Sequence, residues 1–184
     1  MRIITGIARG TKLHTLPGLD TRPTTEITKE AVFSAIQFDI CDRRVLDLFS
    51  GCGQMALEAL SRGAESAVMV DSSRSAVNVI KENAAKTKLI KQCRVACADW
   101  KEFVKSASGK EKFSLVFLDP PYTDGLLDQI IEYIIKSDIL TEDAIIIAES
   151  SKTGVPAPID GISQKLYRYG KTYVSILRFG VGDE

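Results

Sequence analysis

The chain has one histidine, one tryptophan and no Cys-x-x-Cys pair, although it carries four cysteines. His14 is far along the chain from Cys41, Cys52, Cys93 and Cys97, so no metal-ligand set with zinc spacing can be read, and none is expected. Unpaired thiols fit a reducing, cytoplasmic setting. No stretch approaches the roughly 20 apolar residues of a membrane span, and the opening MRIITGIARG is too polar for a secretory leader. Internal repeats, low-complexity tracts and long linkers are also missing. Net charge is absent as well: Lys+Arg and Asp+Glu are 24 each, so the balance neither favours nor excludes a polyanionic partner.

What is present is ordinary globular material: 184 residues, 45% hydrophobic, enough for one domain and a continuous core. The charge is unevenly placed. Residues 1–29 hold Arg2, Arg9, Lys12, Arg22 and Lys29 against Asp20 and Glu26, a local basic arm that reads either as a phosphate-facing surface or as a solvated edge.

The arm reads as short β-strands broken at Gly6 and Gly10, followed by the loop PGLDTRPTT and a helix over about 26–38 with Thr25 as its N-cap. Apolar runs then alternate with helical patterns. Strands are expected at 44–49, 66–70, 93–96, 114–118 and 144–148; helices at 54–62, closed by Gly63, at 73–86 and at 126–136, with a short one after 99. The tail reads as a hairpin turning at Gly170. This pattern predicts a doubly wound, mostly parallel α/β sheet with an antiparallel C-terminal hairpin and a small N-terminal β-hairpin appendage. Residues 1–24 would form the appendage and its loop, and 25–184 the core, within one domain.

The first strand runs into Asp47-Leu48-Phe49-Ser50-Gly51-Cys52-Gly53. Glycines there permit a tight turn and close approach of a ligand. The run 51–56 fits G-x-G-x-x-A with Asp71 twenty residues on, which is also the dinucleotide fingerprint. Asp47 argues against a dinucleotide, because a pyrophosphate on that loop would meet a carboxylate. S-adenosylmethionine carries a sulfonium and an ammonium instead, and a carboxylate stabilises both. Asp71, with Ser72 beside it, is placed to accept ribose hydroxyls or to cap the next helix. Asp99 is placed to accept from an adenine amino group, with Trp100 flanking the ring, or to serve as a plain helix cap.

The fourth strand ends in Asp119-Pro120-Pro121-Tyr122. Two prolines remove two N–H donors, leaving the Asp119 carboxylate and the Pro120 carbonyl as acceptors beside an aromatic face. A planar base with an exocyclic amino group needs that set. The alternative is a rigid turn with a locally packed aromatic.

From RIITGIARGTKL through Arg22-Pro23-Thr24-Thr25, Val45–Gly53, Leu57–Ala64 and Asp119–Tyr122 to Tyr169-Gly170-Lys171-Thr172, the chain resembles the RsmD-like family of 16S ribosomal RNA guanine-N2 methyltransferases over nearly its whole length. The resemblance implies a class I methyltransferase fold. It implies S-adenosylmethionine held around Asp47, Phe49, Ser50, Gly51, Gly53, Asp71, Ser72, Asp99 and Trp100, and catalysis at Asp119, Pro120, Pro121 and Tyr122. It further implies 16S RNA of the small subunit or its assembly intermediate as partner, met by Arg2, Arg9, Lys12, Arg22 and Thr24; nothing in the sequence demands more than a monomer. Cys52 and Gln54 stand where the family usually has small residues, and Lys29 where an Arg is common. A DNA adenine-N6 methyltransferase would use the same tetrapeptide, but no insertion large enough for a target-recognition region is evident. A non-catalytic RNA-binding assembly factor would leave the reaction's chemical groups unused, and a nicotinamide oxidoreductase would leave 119–122 without a role.

Overall fold

A computed structural model describes residues 1–16, 23–121, 123 and 125–180, with residues 23–25 described by backbone alone. Seven strands form one sheet: β1 (Arg44–Asp47), β2 (Ser66–Asp71), β3 (Cys93–Cys97), β4 (Phe113–Leu118), β5 (Leu140–Ser150), β6 (Ser163–Tyr169) and β7 (Thr172–Arg178). Their order is β3-β2-β1-β4-β5-β7-β6. The first five are mutually parallel, and β7 runs antiparallel to both β5 and β6. This is the expected doubly wound sheet with its antiparallel hairpin.

Among the described residues, five α-helices cover it: α1 (Pro23–Ala35), α2 (Gln54–Ser61), α3 (Arg74–Lys86), α4 (Trp100–Ala107) and α5 (Leu126–Lys136). Alternation along each strand sends side chains to two faces. Val45, Met69, Leu115 and Phe117 pack with α1, α2 and α3, whereas Leu46, Leu48, Val68, Val70, Val116 and Leu118 pack with α4 and α5. No helix among the described residues is long and apolar enough to cross a membrane.

Two local expectations are corrected. The first helix begins at Pro23, not at 26, so Thr25 lies inside it and is not its N-cap. A proline fits the first turn because its missing N–H is unneeded there. The N-terminal arm forms no regular strands; its hairpin rests on one antiparallel bridge, Arg2 to Lys12, with the Ile3 and Gly10 amides donating to Thr11 and Ile3 carbonyls.

That arm is fastened by side chains rather than by a ladder. Glu58 of α2, 0% exposed, accepts from the Ile4 amide at 2.7 Å and the Thr5 amide at 3.0 Å. Ser61 Oγ accepts from the Ala8 amide and donates to the Thr5 carbonyl. The arm lies so close to α2 that a Cβ on Gly6 (φ +86°) would sit 1.7 Å from the Ser61 carbonyl oxygen. Lys29 closes the cluster: it is 1% exposed, donates to the Arg2 carbonyl at 2.6 Å and lies 3.5 Å from Glu58. Burial lowers its pKa, while Glu58 pulls it back up. Lys29 is therefore an internal anchor and not part of a solvent-facing basic arm.

Candidate active site

Strand register places the site. Asp47 pairs with Met69 on one side and Phe117 on the other, so Asp71 and Asp119 each lie two residues beyond it on the flanking strands. Two inter-strand spacings put them roughly 10 Å apart, astride the loop that leaves β1. The order β3-β2-β1-β4 thus brings 99, 71, 47–53 and 119–121 to one edge of the sheet, at the carboxyl ends of the parallel strands. Chain connectivity runs outward in opposite senses from β1 and β4, which makes their boundary the crevice where open α/β sheets bind ligands.

The loop is held in shape from two sides. Gly51 and Gly53 have φ of +55° and +79°, left-handed values that a side chain resists. The Gly51 amide donates to Asp71 Oδ2 at 2.9 Å, and Asp71 Oδ1 accepts from the Ser73 amide at 2.8 Å. Ser73, not Asp71, caps α3. From behind, the wholly buried Asn83 donates to the Cys52 carbonyl at 2.9 Å. The same side chain accepts from the His14 amide and donates to the His14 carbonyl, so the N-terminal arm and the glycine loop share one anchor.

Asp47 is 4% exposed, and its Oδ2 has no hydrogen-bond partner among the described residues; the same holds for Gln54 Oε1. Burial pushes the Asp47 pKa up to about 7, and the nearby Asp71 charge adds to it, against hydrogen bonds from Ser50 and the Ala56 and Phe49 amides. Two buried acceptors lacking donors, beside a glycine loop with open space over Gly51, suit a ligand rich in donors and positive charge. They suit a pyrophosphate poorly. S-adenosylmethionine, with its ammonium and sulfonium, fits these residues.

The remaining expected residues divide. Ser50 is buried, and its hydroxyl donates to the Asp47 carbonyl at 3.0 Å, a contact that shapes the loop. Phe49 packs partly into the core on the α4/α5 side, and Ser72 is exposed beside Asp71. Asp99 caps α4 through Oδ1, which accepts from the Lys101 amide at 2.8 Å. Trp100 meets Tyr133 edge-on with ring centroids 5.7 Å apart. Asp119 and Pro121 are exposed at the edge and Pro120 is buried. Tyr122 and Arg22 lie outside the described residues, and of Thr24 only the backbone is described. Arg2, Arg9 and Lys12 are exposed, and Arg9 sits beside the arm's contact with Ser61, the end of α2 remote from the glycine loop.

Sequence reasoning missed Glu58 and Asn83. Both had a signal: Asn83 interrupts the apolar stripe of Ala76, Val77, Ile80 and Ala84, and Glu58 is a charge inside a buried run.

Comparison with known proteins agrees with this architecture. A family profile described as "Conserved hypothetical protein 95" matches residues 1–178. YlbH of Bacillus subtilis (strain 168) is 35% identical over 181 residues, 97% of this chain and 98% of its own length. Ribosomal RNA small subunit methyltransferase D of Escherichia coli (strain K12) is 34% identical over 157 residues, 85% of this chain and 78% of its own length. The solved structure of yhhF from Escherichia coli superposes with a TM-score of 0.86 at 31% identity, covering 99% of both chains. The fold is that of class I methyltransferases, and the chain belongs to the conserved hypothetical protein 95 family, the RsmD-like family that its motifs resemble.

Proposed function

We propose that this protein transfers the methyl group of S-adenosylmethionine to ribosomal RNA of the small subunit, and specifically to the exocyclic N2 amino group of a guanine. The relative from Escherichia coli named for small-subunit ribosomal RNA methylation supports the coarser statement. The observation that carries the chemistry is the β1–β4 pairing, which sets the Asp47 loop and Asp119-Pro120-Pro121 side by side at one sheet edge.

When bound, S-adenosylmethionine supplies an electrophilic methyl carbon on a sulfonium. Asp47, with Gln54, meets the cationic amino-acid end, and Asp71 has lone pairs left for ribose hydroxyls while it holds Gly51. Asp119 and the Pro120 carbonyl accept the two N–H bonds of the base. An exocyclic amine is a weak nucleophile because its lone pair is delocalised into the ring; two such hydrogen bonds localise the pair and aim it. Positioning of this kind is worth several kcal/mol of barrier. Asp119 Oδ takes the proton released from the nitrogen. Tyr122 supplies a stacking face for a base flipped out of its helix. Arg2, Arg9, Lys12, Arg22 and Thr24 contact the surrounding RNA. The working unit is a cytoplasmic monomer of one domain.

The test is transfer of labelled methyl to unmodified small subunits, free 16S RNA and DNA, with Asp119→Ala alongside. Label recovered as N2-methylguanine in small-subunit RNA, and reduced at least a hundredfold in the variant, is the expected result. Label on DNA adenine would overturn the substrate assignment, and cofactor binding with no transfer would favour an RNA-binding assembly role.

A further inference from the structure

The sheet edge that carries the candidate site changes charge along its length. On the cofactor side, β1 and β2 end in Asp47 and Asp71, and Asp99 follows β3; Asp119 follows β4. Beyond Glu149, which stands level with Asp119 near the end of β5, the charges at this edge are positive. Ser150 pairs with Tyr173, and Ala148 is level with Leu118, so the turn between β6 and β7 and the segment after β5 stand at the same edge as Asp119. Segments 150–154 and 166–174 contain Lys152, Arg168 and Lys171 and no carboxylate. All three cations are exposed, and among the described residues none is in an ion pair. At the opposite edge of the same strands, by contrast, Arg178 pairs with Asp39 and Arg43 with Asp143, each at 2.8 Å.

The Arg168 side chain is already ordered for contact. Its Nε donates to the Gly170 carbonyl at 3.1 Å, and its guanidinium lies 5.7 Å from the centre of the Tyr173 ring, which pairs with it across the hairpin. Its exposed guanidinium stands near a two-stranded tip, three strand spacings (roughly 15 Å) from Asp119. The N-terminal arm points its Arg9 tip the other way, down α2 toward Ser61, so the hairpin is the basic feature on the side of Asp119 away from the glycine loop.

We infer that the β6–β7 tip, with Lys152, Arg168 and Lys171, is a phosphate-docking surface that grips the RNA strand on one side of the target base. This rests on the reading of the protein as an RNA methyltransferase. A polyanionic strand would lie along the basic half of the edge, the cationic cofactor along the acidic half, and Asp119 at their meeting point receives the base.

The experiment compares three proteins: wild type, a neutral variant (K152Q, R168Q, K171Q) and a charge-keeping variant (K152R, R168K, K171R). Affinity for a 16S RNA fragment is measured without cofactor as a function of salt, beside S-adenosylmethionine affinity and the kinetics of transfer. The neutral variant is expected to bind RNA on the order of tenfold more weakly near 0.1 M salt, with a log–log salt slope shallower by about 2. KM for RNA should rise, while maximal rate and cofactor affinity stay unchanged, and the charge-keeping variant should match wild type. Unchanged affinity and slope in the neutral variant overturns the proposal, as does a charge-keeping variant as weak as the neutral one. Should the triple neutral variant fail to fold, Lys171→Gln alone, at the exposed turn, is expected to carry about a third of the slope change, and no change would overturn the inference. Because binding is read apart from transfer, a wild type that methylates no RNA, yet binds it through these cations, removes the functional reading and leaves the surface standing.

Discussion

The two halves of the sheet edge that carries the candidate site are held by different means. Around the glycine loop the fastenings are side chains from distant parts of the chain: Asp71 on the Gly51 amide, Asn83 on the Cys52 carbonyl and on the backbone amide and carbonyl of His14, Glu58 on the Ile4 and Thr5 amides. On the hairpin side the fastening is backbone. β5 and β7 share six paired positions and β6 and β7 seven, so the exposed side chains there are spare. A ladder tolerates change in the residues it carries, whereas a buried polar side chain that satisfies several backbone groups does not. The loop half is thus shaped to one geometry and fragile to single substitutions, and the hairpin half is stiff yet free to vary its surface.

The largest effect expected from that contrast is at Glu58. It faces Lys29 at 3.5 Å and Arg62 at 2.8 Å while accepting from two amides, with no exposure of its own. Glu58→Ala would strand a buried ammonium and two amides, a class of change that costs about 3–5 kcal/mol. Urea unfolding should register that loss, and amide exchange at Ile4 and Thr5 should rise sharply even where the core stays protected. Glu58→Gln, which keeps an acceptor but not the charge, should fall between. If alanine costs less than about 1 kcal/mol, as surface ion pairs do, the arm is held by something else.

The same contrast explains what could be read from the sequence. The parallel sheet was legible because apolar runs such as 44–49, 66–70 and 114–118 are separated by helical patterns, and a βαβ chain has few ways to fold. The Asp47 loop and the 119–122 tetrapeptide were legible because strand ends in such a sheet share an edge. The arm was not. Its glycines and alternating residues look like strands, but Ile3, Ala8 and Leu13 are buried while Ile7 is 83% exposed, a pattern set by docking on α2 and not by a pleat. Lys29 looked like part of a basic surface because its partner lies 29 residues further on. Asp99 and Trp100 suit a helix cap and an aromatic contact as well as they suit an adenine, and spacing alone does not separate those roles.

Asp47 gives the middle prediction. Its folded pKa of about 7 lies well above an unfolded value near 3.9, so the folded state prefers the neutral acid. As pH rises from about 4 to about 7, the unfolded chain gives up a proton that the folded one keeps. Stability should fall across that window, on the order of 4 kcal/mol in total, and level off above it. Asp47→Asn should flatten the slope. A cationic ligand reverses the preference, because it favours the carboxylate. Affinity for S-adenosylmethionine should therefore strengthen by up to tenfold per pH unit below 7 and become constant above. Calorimetry in buffers of different ionisation enthalpy would detect the released proton near pH 6. A pH-independent affinity from 5 to 8 would mean that Asp47 does not change its charge when the ligand binds.

The smallest effect belongs to the hairpin. Arg168 lies over Tyr173 and donates to the Gly170 carbonyl, both at the exposed tip. An exposed cation–π contact contributes about 0.5–1 kcal/mol, and the ladder between β6 and β7 does not depend on it. Arg168→Ala should shift the denaturation midpoint by less than 1 kcal/mol, several-fold below Glu58→Ala. Cofactor affinity should be unaltered, since the glycine loop lies on the far side of β4 and β5 from the hairpin. The informative quantity is the ratio of the two losses. Comparable destabilisation at Arg168 and Glu58 would erase the distinction between a half fastened by side chains and a half fastened by backbone. A large gap would mean that folding does not depend on the hairpin's cations, which leaves them free for the RNA contact proposed above.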